Sequence, residues 1–322
     1  MEQILWLRIF QTIVGIVGIL GNGLVCVVIG KVSSMHTRTN AFIFHQAVVD
    51  LLGSFMTLLQ SEAPIPDPVP NNALGWVVCH IWYSRFALFL LYVISTYNLL
   101  SLTMERYFAI VHPFTYQAAF AKRPRLKVGV VIAACWIIGT VINSYVANAF
   151  KVQGGRCVSS AAYRSKVIGG LVAILQYIVP VAVMLFAYIR TSVELKSGAA
   201  RVGPAPANVG QAAGASTTDG NAQPEGMMES LLRARRNTFK MLLIVFITFL
   251  VCWTPNQIIY LLFNLGWNLN VQDWYYLLSI AMVAANSCVN PAIYAFKYRQ
   301  FRKGIREVFS RRLVRLQEAS NS

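Results

Sequence analysis

Seven stretches of this chain run for about twenty residues or more with almost no charge, and no other feature limits its fold as tightly. They fall at about 9–30, 41–61, 79–110, 128–150, 167–190, 236–265 and 274–297, the third having its uncharged centre at 86–104. About twenty apolar residues in a helix cross the hydrocarbon of a bilayer. Overall the sequence is 56% hydrophobic and 12% charged, about half the charge of a soluble domain. The pattern predicts an all-α, seven-transmembrane helix bundle over 1–310. The first run starts near Met1 without a small-residue cleavage site behind a short apolar core, so it reads as a retained span.

The net charge of +16 is unevenly placed. Lys122, Arg123, Arg125, Lys127, Arg190, Lys196, Arg233, Arg235, Arg236 and Lys240 all fall on one side of the predicted membrane, with eight more Lys and Arg after Phe296. The positive-inside bias then sets the N-terminus outside and the C-terminus in the cytoplasm. The basic balance is a topology signal with anionic membrane lipid as its partner, not a nucleic-acid footprint. Residues 197–226 are rich in Gly, Ala and Pro and nearly free of aromatics, which predicts a disordered third inner loop. After the seventh span, Tyr298, Phe301, Ile305, Val308 and Phe309 share one helical face and basic residues the other, predicting an interfacial helix over 298–309 and then a tail over 311–322.

Of the six cysteines, Cys26, Cys135, Cys252 and Cys288 lie inside apolar runs, where a thiol acts as a small hydrophobe. Cys79 and Cys157 face the oxidising side, so a bridge between them is expected. The four histidines form no metal-ligand pattern, and no nucleophile–base spacing supports an enzyme.

Polar residues inside the spans carry the functional signal. Asp50 lies near the middle of the second span with no basic residue in that span. Asn22, Ser95, Asn286, Ser287 and Asn290 fall at similar depth. Carboxylate plus neutral oxygens is a set that hard cations prefer. A sodium ion or a proton on Asp50 and a water-filled polar network are both compatible with these residue types. Glu105 and Arg106 end the third span as adjacent opposite charges, while Pro180, Pro255 and Pro291 interrupt helices beside the polar layer.

Together, "ERYFAIVHP", "CWTP", "NPAIY", "GN" at 21–22, "AVVDL" at 47–51, Trp136, Pro180 and Tyr188 resemble the motifs of the rhodopsin-like (class A) G-protein-coupled receptors, in order and across all seven spans. The resemblance implies a plasma-membrane receptor, not an enzyme, that binds an extracellular, small ligand and activates heterotrimeric G proteins. It implies a G-protein switch of Glu105, Arg106, Tyr107, Tyr188 and Tyr294, and a relay of Trp253, Phe249, Pro255, Asn290 and Pro291. It further implies an allosteric sodium ion at Asp50, Ser95, Asn286 and Asn290, and a Cys79–Cys157 disulfide. Ligand-pocket candidates by helical position are Arg85, Phe89, Tyr92, Trp253, Asn256, Gln257 and Tyr260. Arg85 is suited to an anionic ligand or to an ion pair with Glu62 or Asp67.

Some positions depart from the family pattern. Cys79 precedes Arg106 by 27 positions, two more than the family spacing, which predicts a bulge or altered outer turn. Arg235 stands where an acidic partner of Arg106 is expected, which points to raised basal activity. Leu88 replaces the aspartate of amine receptors and Ala284 the lysine of opsins, disfavouring a bioamine and retinal. The alternatives are a ligand-independent or non-signalling receptor subunit and a proton- or sodium-coupled transporter. The transporter would show paired repeats with broken helices, and none is visible.

Overall fold

The computed structural model describes residues 2–63, 66–148, 150–159, 166–202, 224–267 and 273–320. Its helices follow in order as α1 (Glu2–Lys31), α2 (Arg38–Glu62), α3 (Ala73–Val77), α4 (Phe86–Val111), α5 (Pro113–Ala119), α6 (Pro124–Ala147), α7 (Lys166–Ala173), α8 (Val179–Val202), α9 (Pro224–Leu265), α10 (Trp274–Lys297) and α11 (Arg299–Ser320). Seven stretches, with α3–α4 and α7–α8 each counted as one, are long and apolar enough to cross a membrane. The protein is a seven-transmembrane bundle with an additional helix at its C-terminal end.

Helix starts follow local chemistry. The Thr37 side chain accepts the Asn40 N–H at 3.2 Å to cap α2, and Pro113 and Pro124 open α5 and α6, where a missing N–H costs nothing. α4 is the central element, packed against α2, α6 and α8, while α1 closes against α2 and α10. Gly18 lets α1 approach α2, since a Cβ there would meet Ser54 Oγ at 2.1 Å; Gly139 does the same for α6 against Ile94. Small residues at helix crossings are how bundles pack in lipid.

The outer surface differs from that of a water-soluble protein. Val141 and Ile137 on α6 are 67% and 65% exposed, whereas Asn22 and Asn98 are fully enclosed within a largely apolar core. Such an apolar exterior suits a hydrocarbon solvent.

The two extra positions between Cys79 and Arg106 have a physical home. Val78–Tyr83 form one wide turn, closed by Ser84 N–H to the Cys79 carbonyl at 3.3 Å, and Arg85 then takes a left-handed φ of 56°. A wide turn inserts residues without ending the helix. Cys79 is bonded to Cys157 on the hairpin of β1 (Phe150–Gln153) and β2 (Arg156–Ser159). The Val69 N–H donates to the Gly155 carbonyl at 2.8 Å, tying the segment after α2 to the same hairpin.

Three boundaries differ from the sequence expectation. Residues 197–202 and 224–226, expected to be disordered, are helical as the ends of α8 and α9; 203–223 lie outside the described residues. The final helix passes 309 and runs to Ser320, so most of the expected tail belongs to it. Finally, α1 starts before residue 9 and includes Arg8, whose guanidinium pairs with Glu62 at 2.7 Å. In each case helix geometry continues past the point where apolarity stops, and hydropathy reports only apolarity.

Candidate functional site

The polar residues gather in three layers. At the end opposite the disulfide, the last turns of α4 carry Glu105 and Arg106. The Glu105 carboxylate is buried and accepts two N–H bonds from Arg106, the Tyr116 hydroxyl of α5 at 2.5 Å, and Thr39 Oγ1 of α2 at 3.3 Å. The Arg106 ion pair is therefore entirely local, with its own neighbour. Arg235 on α9 is exposed, and Arg236 beside it donates to the Leu195 carbonyl at 3.3 Å. Arg38 lies 5.1 Å over the rings of both Tyr116 and Phe120, a cation–π arrangement that holds α5 against α2. Burial, and then the adjacent carboxylate, raise the Tyr116 hydroxyl above the usual tyrosine range, so it stays a donor to Glu105. Burial likewise pushes Tyr298 up to about 12, and its hydroxyl donates to Asn40 Oδ1 at 2.7 Å, linking the α10–α11 junction to α2.

The remaining switch candidates are close to α4 but differently engaged. The Tyr188 hydroxyl of α8 donates to the Leu242 carbonyl of α9 at 2.9 Å, lies 3.3 Å from Thr103 Oγ1, and its ring stacks on Phe246. Tyr294 is fully buried with its hydroxyl unpartnered, its ring edge-on to Phe301. Tyr107 is turned aside to His112, 3.2 Å away.

In the middle layer Asp50 is enclosed. One carboxylate oxygen accepts from Ser95 Oγ at 2.9 Å; the other accepts from Gln46 Nε2 at 3.0 Å and Asn290 Nδ2 at 2.9 Å. Elements α2, α4 and α10 thus converge on one carboxylate. Asn286 is buried one turn before Asn290, and the side-chain oxygens of both lack partners. Asn22 of α1 donates to the Ser287 carbonyl at 2.8 Å, extending the layer to a fourth helix.

Towards the disulfide end, Trp253 and Phe249 pack along α9 with tilted rings, centroids 5.6 Å apart, and Tyr92 meets Trp253 edge-on at 6.1 Å. Pro255 interrupts the backbone ladder just above and Pro291 does so in α10. Phe89 packs edge-on against Tyr92, Asn256 donates to Ser279 at 3.1 Å, and the Gln257 side-chain oxygen is buried without a partner. Tyr260 is half-buried one turn further on. A small cleft opens between α1, α2, α4 and α10, lined by Gln11, Thr57, Gln60, Arg85, Ile280 and Ala284. Of the expected pocket residues only Arg85 lines it. Glu62 is taken by Arg8, and among the described residues no carboxylate lies within ion-pair distance of Arg85.

Motif geometry of this kind agrees with sequence comparison. Residues 21–294 match the family described as 7 transmembrane receptor (rhodopsin family). The chain belongs to the rhodopsin family of seven-transmembrane receptors. It is 27% identical to galanin receptor 2b of Danio rerio over 93% of this chain and 73% of that protein. It is 26% identical to the allatostatin-A receptor of Bombyx mori over 93% of this chain and 78% of that one.

In this receptor the structure brings Asp50, Ser95 and Asn290 into direct contact, as it does Glu105 with Arg106 and Cys79 with Cys157. Sequence reasoning passed over Gln46, His45 and Asn98, all buried, and the Glu105 partners Thr39 and Tyr116. One signal was available: Gln46 precedes Asp50 by four positions and Asn98 follows Ser95 by three, the spacings that share a helix face.

Proposed function

We propose that this receptor takes an extracellular ligand at its disulfide end and drives nucleotide exchange on a heterotrimeric G protein at its Arg106 end. The observation that carries the reading is the Glu105–Arg106 pair: a buried carboxylate holding a cation that, among the described residues, has no ion-pair partner on another helix. Exchanging that neighbour for a partner protein's groups is a two-state event of low structural cost, which is what a switch requires. Tyr188 and Tyr294 support it. One is tied to the α9 backbone and the other has an unsatisfied buried hydroxyl, so movement of α9 changes both. The bias of Lys and Arg towards the Arg106 end supports an outside N-terminus at the plasma membrane.

The relatives are named for two different ligands, galanin and allatostatin-A, so neither name passes to this chain. Arg85 beside the cleft, free of Glu62, favours a ligand that brings its own anionic group, with Gln60 beside it. Both side-chain polar atoms of Gln60 are buried without partners and can hydrogen-bond such a group. Exposed Arg235, in the position of an acidic lock, additionally favours exchange without ligand.

The test is ligand-free GDP–GTP exchange on a panel of G-protein α subunits, in membranes carrying equal amounts of this receptor or its Arg106→Ala variant. Exchange above background that falls about tenfold or more in the variant, roughly 1.4 kcal/mol of coupling, is expected. Exchange indifferent to Arg106 would sink the assignment.

A further inference from the structure

We infer that the Gln46 amide occupies the place from which a sodium ion would bridge Asp50 and Ser95, so that this receptor's core is closed to the cation its family resemblance implies. The orientation of every group in the chain of bonds leading to Asp50 is fixed by atoms that have only one possible role.

The Trp136 indole N–H of α6 can only donate, and it lies 3.0 Å from His45 Nε2. That nitrogen must therefore accept, which places the imidazole proton on Nδ1. His45 Nδ1 then donates to Asn98 Oδ1 at 2.8 Å. Asn98 is independently fixed the same way round, because its nitrogen donates to the Phe42 carbonyl, an acceptor only, at 3.0 Å. The same nitrogen donates to Gln46 Oε1 at 2.7 Å. With its oxygen so engaged, Gln46 presents N–H groups to Asp50 Oδ2 at 3.0 Å and to Ser95 Oγ. A single run of aligned donors thus passes from the lipid-facing α6 through α2 and α4 to the buried carboxylate.

A hard cation at Asp50 needs oxygen ligands. Here the two oxygens it would join are already joined by an amide nitrogen. Asn290 also turns nitrogen rather than oxygen to the carboxylate, at 2.9 Å. The unpartnered Asn286 and Asn290 oxygens are of the right type, but both Asp50 oxygens already accept from protein donors. Turning the Gln46 amide over would place its oxygen against the carboxylate and its nitrogen against the Asn98 nitrogen. That mismatch would propagate to Trp136, and a hydrogen-bonded chain of this kind resists partial reversal. Both Asp50 oxygens are thereby occupied by fixed donors of the protein itself.

The decisive experiment is thermal unfolding of the full-length receptor during titration of sodium chloride against choline chloride at constant ionic strength. It needs neither ligand nor G protein, so its failure is separate from failure of the proposed function. The wild type is expected to show no sodium-specific shift. Gln46→Leu removes the bridging amide and is expected to gain a saturable sodium-dependent rise, about 3 °C when sodium is tenfold above its dissociation constant. Asn98→Ala, which leaves Gln46 free to turn, is expected to gain a smaller rise and serves if Gln46→Leu does not fold. A sodium-specific shift in the wild type would overturn the inference, as would sodium indifference in both folded variants.

Discussion

Among the described residues two carboxylates are buried, and their surroundings satisfy them by opposite strategies. Asp50 is surrounded by neutral donors from three helices, Gln46, Ser95 and Asn290, and has no counter-charge among its bonded partners. Glu105 is bound to a full cation on the adjacent residue, with Tyr116 and Thr39 as secondary donors. Dipoles fixed to three packed helices cannot be exchanged without separating those helices. A cation on a flexible side chain, 23% exposed, can change partners with the helices in place. The first arrangement makes a knot and the second a latch. Under the proposed switch, the difference would let the middle layer stay in place while the Arg106 end rearranges.

That contrast can be broken experimentally. Asp50→Ala removes the acceptor shared by three buried donors. Two of these bonds, from Ser95 and Asn290, cross between helices; at about 0.6–1 kcal/mol for each such bond in a membrane, the substitution should cost roughly 1–2 kcal/mol, read as a lower unfolding temperature in detergent. An unchanged temperature would mean the knot contributes nothing. Tyr116→Phe removes one secondary donor from Glu105 and should leave that temperature nearly unchanged. It should instead raise ligand-free exchange about two- to threefold, the equivalent of roughly 0.5 kcal/mol. The smallest effect concerns alkaline pH. Because the folded protein holds the Tyr116 proton above the ordinary tyrosine value of about 10, the corresponding stability is complete below that pH. It is lost as pH rises through the folded value. Tyr116→Phe should flatten this part of the alkaline unfolding curve, and an unaltered curve would show that the folded protein does not hold this proton above its ordinary value.

Much of this was legible in the residues, for identifiable reasons. Spans are set by hydropathy, a one-dimensional property, so all seven were visible. The bulge before Arg85 was visible as a surplus of two positions. Asp50 and the Glu105–Arg106 pair stood out because charge in an apolar run is rare. Gln46, Asn98 and His45 did not, because uncharged polar residues in a span ordinarily bond to any neighbouring helix, and only the packing of α2 on α4 shows which one. Thr39 and Tyr116 lie at helix ends beyond the apolar runs, where sequence pattern gives no direction. The cleft was not legible for a similar reason. Its walls are faces of α1, α2, α4 and α10, and the approach of α1 to α10 is a tertiary fact.

The latch is tested most directly by Glu105→Gln, which keeps the shape of the side chain and removes the charge that holds Arg106. Ligand-free GDP–GTP exchange on a coupled α subunit, compared at equal receptor amounts, should rise well above the wild-type rate. A rate at or below the wild type would contradict the account, because Arg106 would then not be restrained by its neighbour.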